Sequence, residues 1–354
     1  MNRTAFLRAA AAAAGVAMFV QSLRVLGTDR ILDGVARMGW AFAVIVLLSG
    51  ARELVRTLAW MRTVERPARL RFGPAFRARL VGEALNALLP IGMVVGEPTK
   101  ASHVGSDISF PTALKALVVE FAFYGVSLAV LLAAGSAAFV LAADARNGVR
   151  MLTYAATASA AIGFASLGWL ARVRARPRRF ADRGGRAADI ASWAAGRLRG
   201  MRDVVFGFSS RHPDRVRTIV ALEITYQLLA VAEVYVTLLF VGALRPTIAA
   251  AIALETVSRV VTMAFKMVPL RAGVDEVGSA FVASQLHLGA ATGLTLALVR
   301  KIRLLFWSAA GLALLFGWRR RAESADGRLL VSSLRVPAQS LAVQPADASG
   351  APIR

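Results

Sequence analysis

Two short stretches carry charge where an apolar chain would avoid it. Residues 86–103, "NALLPIGMVVGEPTKASH", place Glu97 and Lys100 three positions apart. Residues 268–276, "VPLRAGVDE", place Arg271 before Glu276. An ionisable group at membrane depth is expensive, and it marks a functional site by default. Its options are a buried ion pair, a proton-coupled site or a ligand contact. Lysine is a compact point charge suited to a phosphate or carboxylate partner. The chain has four lysines, Lys100, Lys115, Lys266 and Lys301, all in or beside these two stretches, whereas its loops use arginine.

Glu97, Lys100, Arg271 and Glu276 are therefore the candidate binding residues. Glu83, Glu120, Arg259 and Lys266 flank them as secondary candidates. Glu255 and Arg259 stand four apart, and a plain helix salt bridge is the stronger reading for that pair. Gly92 and Gly96 form a small-xxx-small pattern; with Pro90 and Pro98 so near, a tight turn is expected rather than helix contact. No nucleotide-binding loop is present, and no Ser/His/Asp set has interpretable spacing. Catalysis is not expected, although an intramembrane transferase would leave no obvious motif. With no cysteine and three scattered histidines (His103, His212 and His287), no metal or other cofactor is expected.

The elements that must position these residues are membrane spans. The chain is 57% hydrophobic and 18% charged, with a net charge of +22. The positive charge lies between apolar runs long enough to cross a bilayer, which favours basic membrane loops over nucleic-acid binding. Those runs are Phe6–Leu26, Trp40–Trp60, Thr112–Ala142, Met151–Ala171, Val216–Val241, Pro246–Met267 and Gly293–Trp318. The first resembles a signal peptide, but further spans follow it, so it reads as a transmembrane helix. Arginines after the second span (Arg62 to Arg79), after the fourth (Arg172 to Arg186) and after the last (Arg319 to Arg321) put those regions in the cytoplasm. The loop 143–149 then falls outside, and both termini fall inside.

Parity now constrains the opening stretch. Residues 80–110 leave the cytoplasm and return to it, so they form a re-entrant hairpin or an interfacial helix pair. The second stretch echoes the first: Pro90 precedes Glu97 by seven positions, Pro269 precedes Glu276 by seven, glycines lie between, and a long apolar helix follows. That order of features predicts a duplication with inverted topology, whose interrupted segments meet near the midplane. Pro246–Met267 is long for half of a hairpin and could instead be a full span. The expected fold is an all-α polytopic membrane protein of about six to eight transmembrane helices. Its domain covers 1–321, divided into a first half (5–172), a basic linker (173–215) and a second half (216–318). Residues 322–354 are expected to be a disordered cytoplasmic tail. Apolar residues from Ile190 to Phe208 recur at helical spacing beside arginines. They predict an amphipathic helix lying on the anionic inner leaflet or packed against the bundle.

At the two stretches the chain resembles the flippase-like family, which corresponds to the transmembrane region of lysylphosphatidylglycerol synthases and includes a hopanoid-linked branch. The resemblance rests on Asn86, Leu89, Pro90, Gly96 and Glu97, with Lys100 at a usually basic position, and on Pro269, Gly273 and Glu276. Two departures stand out: Arg271-Ala272-Gly273 replaces adjacent glycines, and Phe121 follows Glu120 where arginine is usual. The resemblance implies handling or flipping of a polar lipid in a bacterial inner membrane, and membrane lipids as partners. Lysine transfer would need a soluble domain not expected here. An accessory scaffold for lipid-biosynthesis enzymes, docking through 172–217, is the alternative, and an intramembrane lipid-modifying enzyme is the third reading.

Overall fold

The computed structural model describes residues 38–89, 92–104, 108–142, 186–243, 246–265 and 273–334, and positions 17, 20 and 24. The rest of Phe6–Leu26, all of Met151–Ala171, the loop 143–149, residues 172–185 and the tail from 335 lie outside the described residues. So do Pro90, Lys266, Pro269 and Arg271. The described helices are α1 (Trp40–Thr63), α2 (Phe72–Leu88), α3 (Gly92–Ser102), α4 (Phe110–Ala142), α5 (Arg186–Arg211), α6 (Pro213–Phe240), α7 (Ile248–Ala264), α8 (Val274–Gln285) and α9 (Ala290–Leu334). Met1–Leu312 form one compact unit; Ala313–Arg354 form a second, described only as the run of α9 to Leu334.

Local chemistry sets the helix ends. Leu89 turns extended directly before Pro90, because a residue preceding proline is pushed out of the helical region. α6 begins with Pro213 at its first turn and Asp214 beside it, both suited to a helix start. Thr247 caps α7, its side chain accepting from Ala250 N at 3.1 Å. Gly273 enters α8 at φ 84°, a conformation glycine adopts without strain. Its N–H donates to the Glu276 carboxylate at 2.9 Å.

The burial pattern is that of a membrane protein. Leu47 is 72% exposed and Leu228 64%, while Arg79 is 1% and Lys100 2% exposed. Apolar outer faces suit hydrocarbon, and charges collect inside. α4 over Phe110–Phe139 and α6 over Pro213–Phe240 are long and apolar enough to span. At 1.5 Å per residue they reach about 40–45 Å, more than the hydrocarbon thickness. α2 and α7 have 17 residues each, and α3 and α8 have 11 and 12. The short helices cover only about half of a bilayer core. α2 packs on α3, and α7 packs on α8. The residues that join α7 to α8 lie outside the described ones.

The halves repeat. Long, 17-residue, short and long helices follow in the same order as α1–α4 and again as α6–α9, with α5 between. α1 and α6 run antiparallel. Trp40 meets Phe240 at 4.8 Å between ring centroids, and at the far end Arg215 donates to the Val64 carbonyl at 2.9 Å. α1 and α6 are thus related by an axis perpendicular to their length, as an inverted repeat requires. Cross-half contacts correspond in part. Gly135 of α4 lies against Thr256, the ninth residue of α7; Gly311 of α9 lies against Leu80, the ninth residue of α2. The eighteenth residue of α4, Ser127, accepts from Gln227 of α6 at 3.0 Å. The eighteenth residue of α9, Trp307, donates to Ser49 of α1 at 2.8 Å. The fold is an all-α polytopic membrane protein.

Two details differ from the sequence reading. Pro98 does not break the chain; it sits inside α3. Gly92 does close a tight turn, its N–H donating to the Leu89 carbonyl at 2.9 Å, but Gly96 lies inside α3, and both also serve packing. They bring α3 against α2: a Cβ on Gly96 would meet the Asn86 side chain, and one on Gly82 would lie 2.8 Å from the Gly96 carbonyl. The three glycines act as small interface residues that let two backbones touch.

Candidate functional site

α1 supplies the first charges. Arg52 and Arg56 lie one turn apart on one face, with Glu53 beside them. Arg56 holds Glu120 of α4 through Nε at 2.8 Å and Nη2 at 2.6 Å. Arg79 of α2 reaches Glu53 at 2.8 Å, Glu83 at 3.3 Å and Glu120 at 3.5 Å. Lys100 of α3 donates to Glu83 and Glu97, both at 2.7 Å. Asn86 Nδ2 also donates to Glu97, at 3.0 Å. A buried cation is tolerable only with such partners, and this half supplies one carboxylate for Arg56, two for Lys100 and three for Arg79.

The second half builds a matching network. Glu255 of α7 takes Arg259 at 2.8 Å and Arg300 of α9 at 3.0 Å. Lys301 pairs with Glu276 at the start of α8. Glu233 of α6 takes Arg52 at 2.7 Å, and Arg303 of α9 also pairs with it. The Arg52–Glu233 pair joins the two halves.

Between the networks lies a cavity of about 370 Å³. Its wall carries the cations Arg52, Arg56, Arg259, Arg300, Lys301 and Arg303, and the anions Glu53, Glu83, Glu97, Glu255 and Asp275. Leu80, Met93, Phe121, Leu304 and Trp307 give it apolar surface as well. Two tyrosines pack among its arginines. Arg56 lies 4.1 Å from the Tyr124 ring centroid, and Arg52 lies 4.8 Å from that of Tyr226. Such rings hold guanidinium groups without neutralising them. The Trp307 ring stands against Gly50, 3.1 Å from where a Cβ would be. Charge of both signs beside apolar surface is a setting for a molecule that is itself part polar and part apolar.

The sequence candidates fall as follows. Glu97, Asn86 and Glu83 line the cavity. Lys100 does not reach that wall; it is buried behind it, between Glu83 and Glu97. Glu120 is buried under Arg56 and Arg79. Arg259 lines the cavity while it pairs with Glu255, so the helix salt bridge and the site are one arrangement. Glu276 caps α8 and holds Lys301, which is at the wall. Arg79, counted in the sequence with the cytoplasmic loop charges, is instead a buried hub. Arg52, Arg56, Tyr124, Tyr226, Glu233 and Arg303 were not singled out in the sequence. Arg52 and Arg56 could have been found, since two arginines one turn apart inside an apolar run imply buried partners.

No curated protein and no solved structure matches the chain. The family described as the lysylphosphatidylglycerol synthase TM region matches residues 6–311, a stretch that holds α1–α8, the first part of α9 and every residue of the cavity wall. The chain belongs to the lysylphosphatidylglycerol synthase TM region family.

Proposed function

We propose that the chain binds the headgroup of an amphipathic lipid in the central cavity and carries it across a bacterial inner membrane. The observation behind this reading is the cavity itself: charged walls of both signs, at the contact of two repeated halves, inside a protein whose outer faces are apolar. A headgroup cannot enter hydrocarbon cheaply unless polar groups replace its water. The guanidinium groups of Arg259 and Arg300 suit a phosphate, and Glu97 and Asn86 suit hydroxyl or amine groups. A hopanoid-related lipid is one candidate cargo. The role is binding and transport rather than catalysis, with both termini in the cytoplasm.

The test is reconstitution. Mass spectrometry of the purified protein identifies the lipid that co-purifies, and vesicles carrying its fluorescent analogue measure transfer between leaflets. Transfer is expected with the native chain and is expected to fall in Glu97→Gln and Arg300→Gln. A purified chain that moves no co-purifying lipid would sink the reading.

A second reading has its own observation. α5 packs on α4 and α6 through Val204, Val205 and Phe208, while Met201 and Phe206 stay exposed beside arginines. That face suits the anionic inner leaflet or a lipid-biosynthesis enzyme. Loss of partner capture on deleting 176–200, with lipid transfer unchanged, would favour the scaffold.

A further inference from the structure

Glu223 takes part in neither network. It stands on α6, is 1% exposed, and neither carboxylate oxygen receives a hydrogen bond from any described group. The charged groups facing it are Arg56 from α1, Glu120 from α4 and Arg79 from α2. α5 meets this part of α6 through apolar Val204, Val205 and Phe208. α7 faces the next turn, where Arg259 lies 5.7 Å from the Tyr226 ring centroid. Both nearby cations are already engaged: Arg56 on Glu120, and Arg79 on Glu53, Glu83 and Glu120. An ionised carboxylate here would be desolvated, without a donor and beside another carboxylate. A neutral carboxyl loses far less, because only the charged form carries the full desolvation cost.

We propose that Glu223 is a proton-binding site that decides which carboxylate holds Arg56. With the proton on, Arg56 stays on Glu120, as observed. When the carboxyl releases its proton to solvent water, a second anion appears beside the guanidinium. The Arg56 N–H donors then divide between Glu120 and Glu223, and Glu120 keeps Arg79. Arg56 forms part of the cavity wall and stacks on Tyr124, so one proton changes how that wall residue is held. The switch acts on the cavity of the transport reading but does not depend on it. A protein that moves no lipid would still show it.

The probe is the proton. Infrared spectra of the purified full chain across a pH series are expected to contain a carboxylic-acid C=O band at neutral pH. The band is lost on raising the pH and is absent from Glu223→Gln, whose amide matches a neutral carboxyl in size and charge. Glu223→Asp is expected to keep a band, at a different frequency. Spectra of native protein and Glu223→Gln that superimpose at every pH would overturn the site. So would a Glu223→Gln chain that fails to fold while Glu223→Asp folds without a band. For the switch, the chain has no native cysteine, so Ser258→Cys at the cavity wall gives a single label. Its maleimide labelling is expected to show a pH step beyond the thiol's own, lost when Glu223→Gln is added. Identical labelling profiles in the two backgrounds would overturn the coupling to Arg56 and leave the lipid assay to decide transport by itself.

Discussion

The segments α2–α4 and α7–α9 share a skeleton and differ in sign. The eighth and twelfth residues of α2 are Arg79 and Glu83; those of α7 are Glu255 and Arg259. Each pair is bridged within its own helix. The eleventh residue of α4 is Glu120 and the eleventh of α9 is Arg300, and each pairs with the eighth residue of the 17-residue helix in its own half. Three equivalent positions thus carry opposite charges. The fold requires a buried pair at each place and is indifferent to which member is the cation, because the pairing energy is symmetric under exchange while an unpaired charge is not tolerated. The first half adds Arg56 and Lys100 around its carboxylates; the second adds Lys301 and Arg303 on the last helix.

Five substitutions test how far the likeness goes. The largest effect is expected from Arg79→Ala, which leaves Glu53, Glu83 and Glu120 short of a donor. Removing one member of a buried pair costs about 3–5 kcal/mol, read as a lowered unfolding midpoint in detergent. The equivalent loss in the second half, Glu255→Ala, strands Arg259 and Arg300 and is expected to be similar; a far smaller loss there would break the equivalence. Next come two glycines at the same place, the fifth residues of α3 and α8. Gly96→Ala drives a Cβ into Asn86 and is expected to destabilise by about 1–3 kcal/mol. Gly278→Ala meets only Val261 at 3.4 Å and is expected to stabilise its helix by about 0.5–1 kcal/mol. Equal effects at the two would mean that the hairpins are equally tight. The smallest change is expected at the surface: Arg211→Ala removes an exposed contact with Glu65 and should cost less than about 1 kcal/mol.

The sequence made the hairpins legible and misled about their register. Proline and glycine interruptions are local signals, so both breaks could be read without neighbours. Matching Pro90 to Pro269 set Glu97 beside Glu276, yet Glu97 is the sixth residue of α3 and Glu276 the third of α8. One carboxylate faces the cavity beside Asn86; the other caps its own helix and holds Lys301. The long helices were equally plain, since an apolar run of this length has few other fates. Arg79 reads as loop charge because its partners Glu53 and Glu120 lie 26 and 41 positions away. Pairing at that range leaves no periodic trace. The same holds for Gly92 and Gly96, whose meaning depends on Asn86 and Gly82 across the hairpin.

Trp307 closes the gap between the last helix and the first: its indole N–H is held by Ser49 and its ring covers Gly50. An indole so placed is a built-in optical gauge. Its emission will shift to the red if α9 draws away from α1 and water reaches the ring, and will hold steady if the cavity fills with that contact intact. Opening at this seam can therefore be watched in the unlabelled chain, once Trp307→Phe has identified its share of the signal among the six tryptophans.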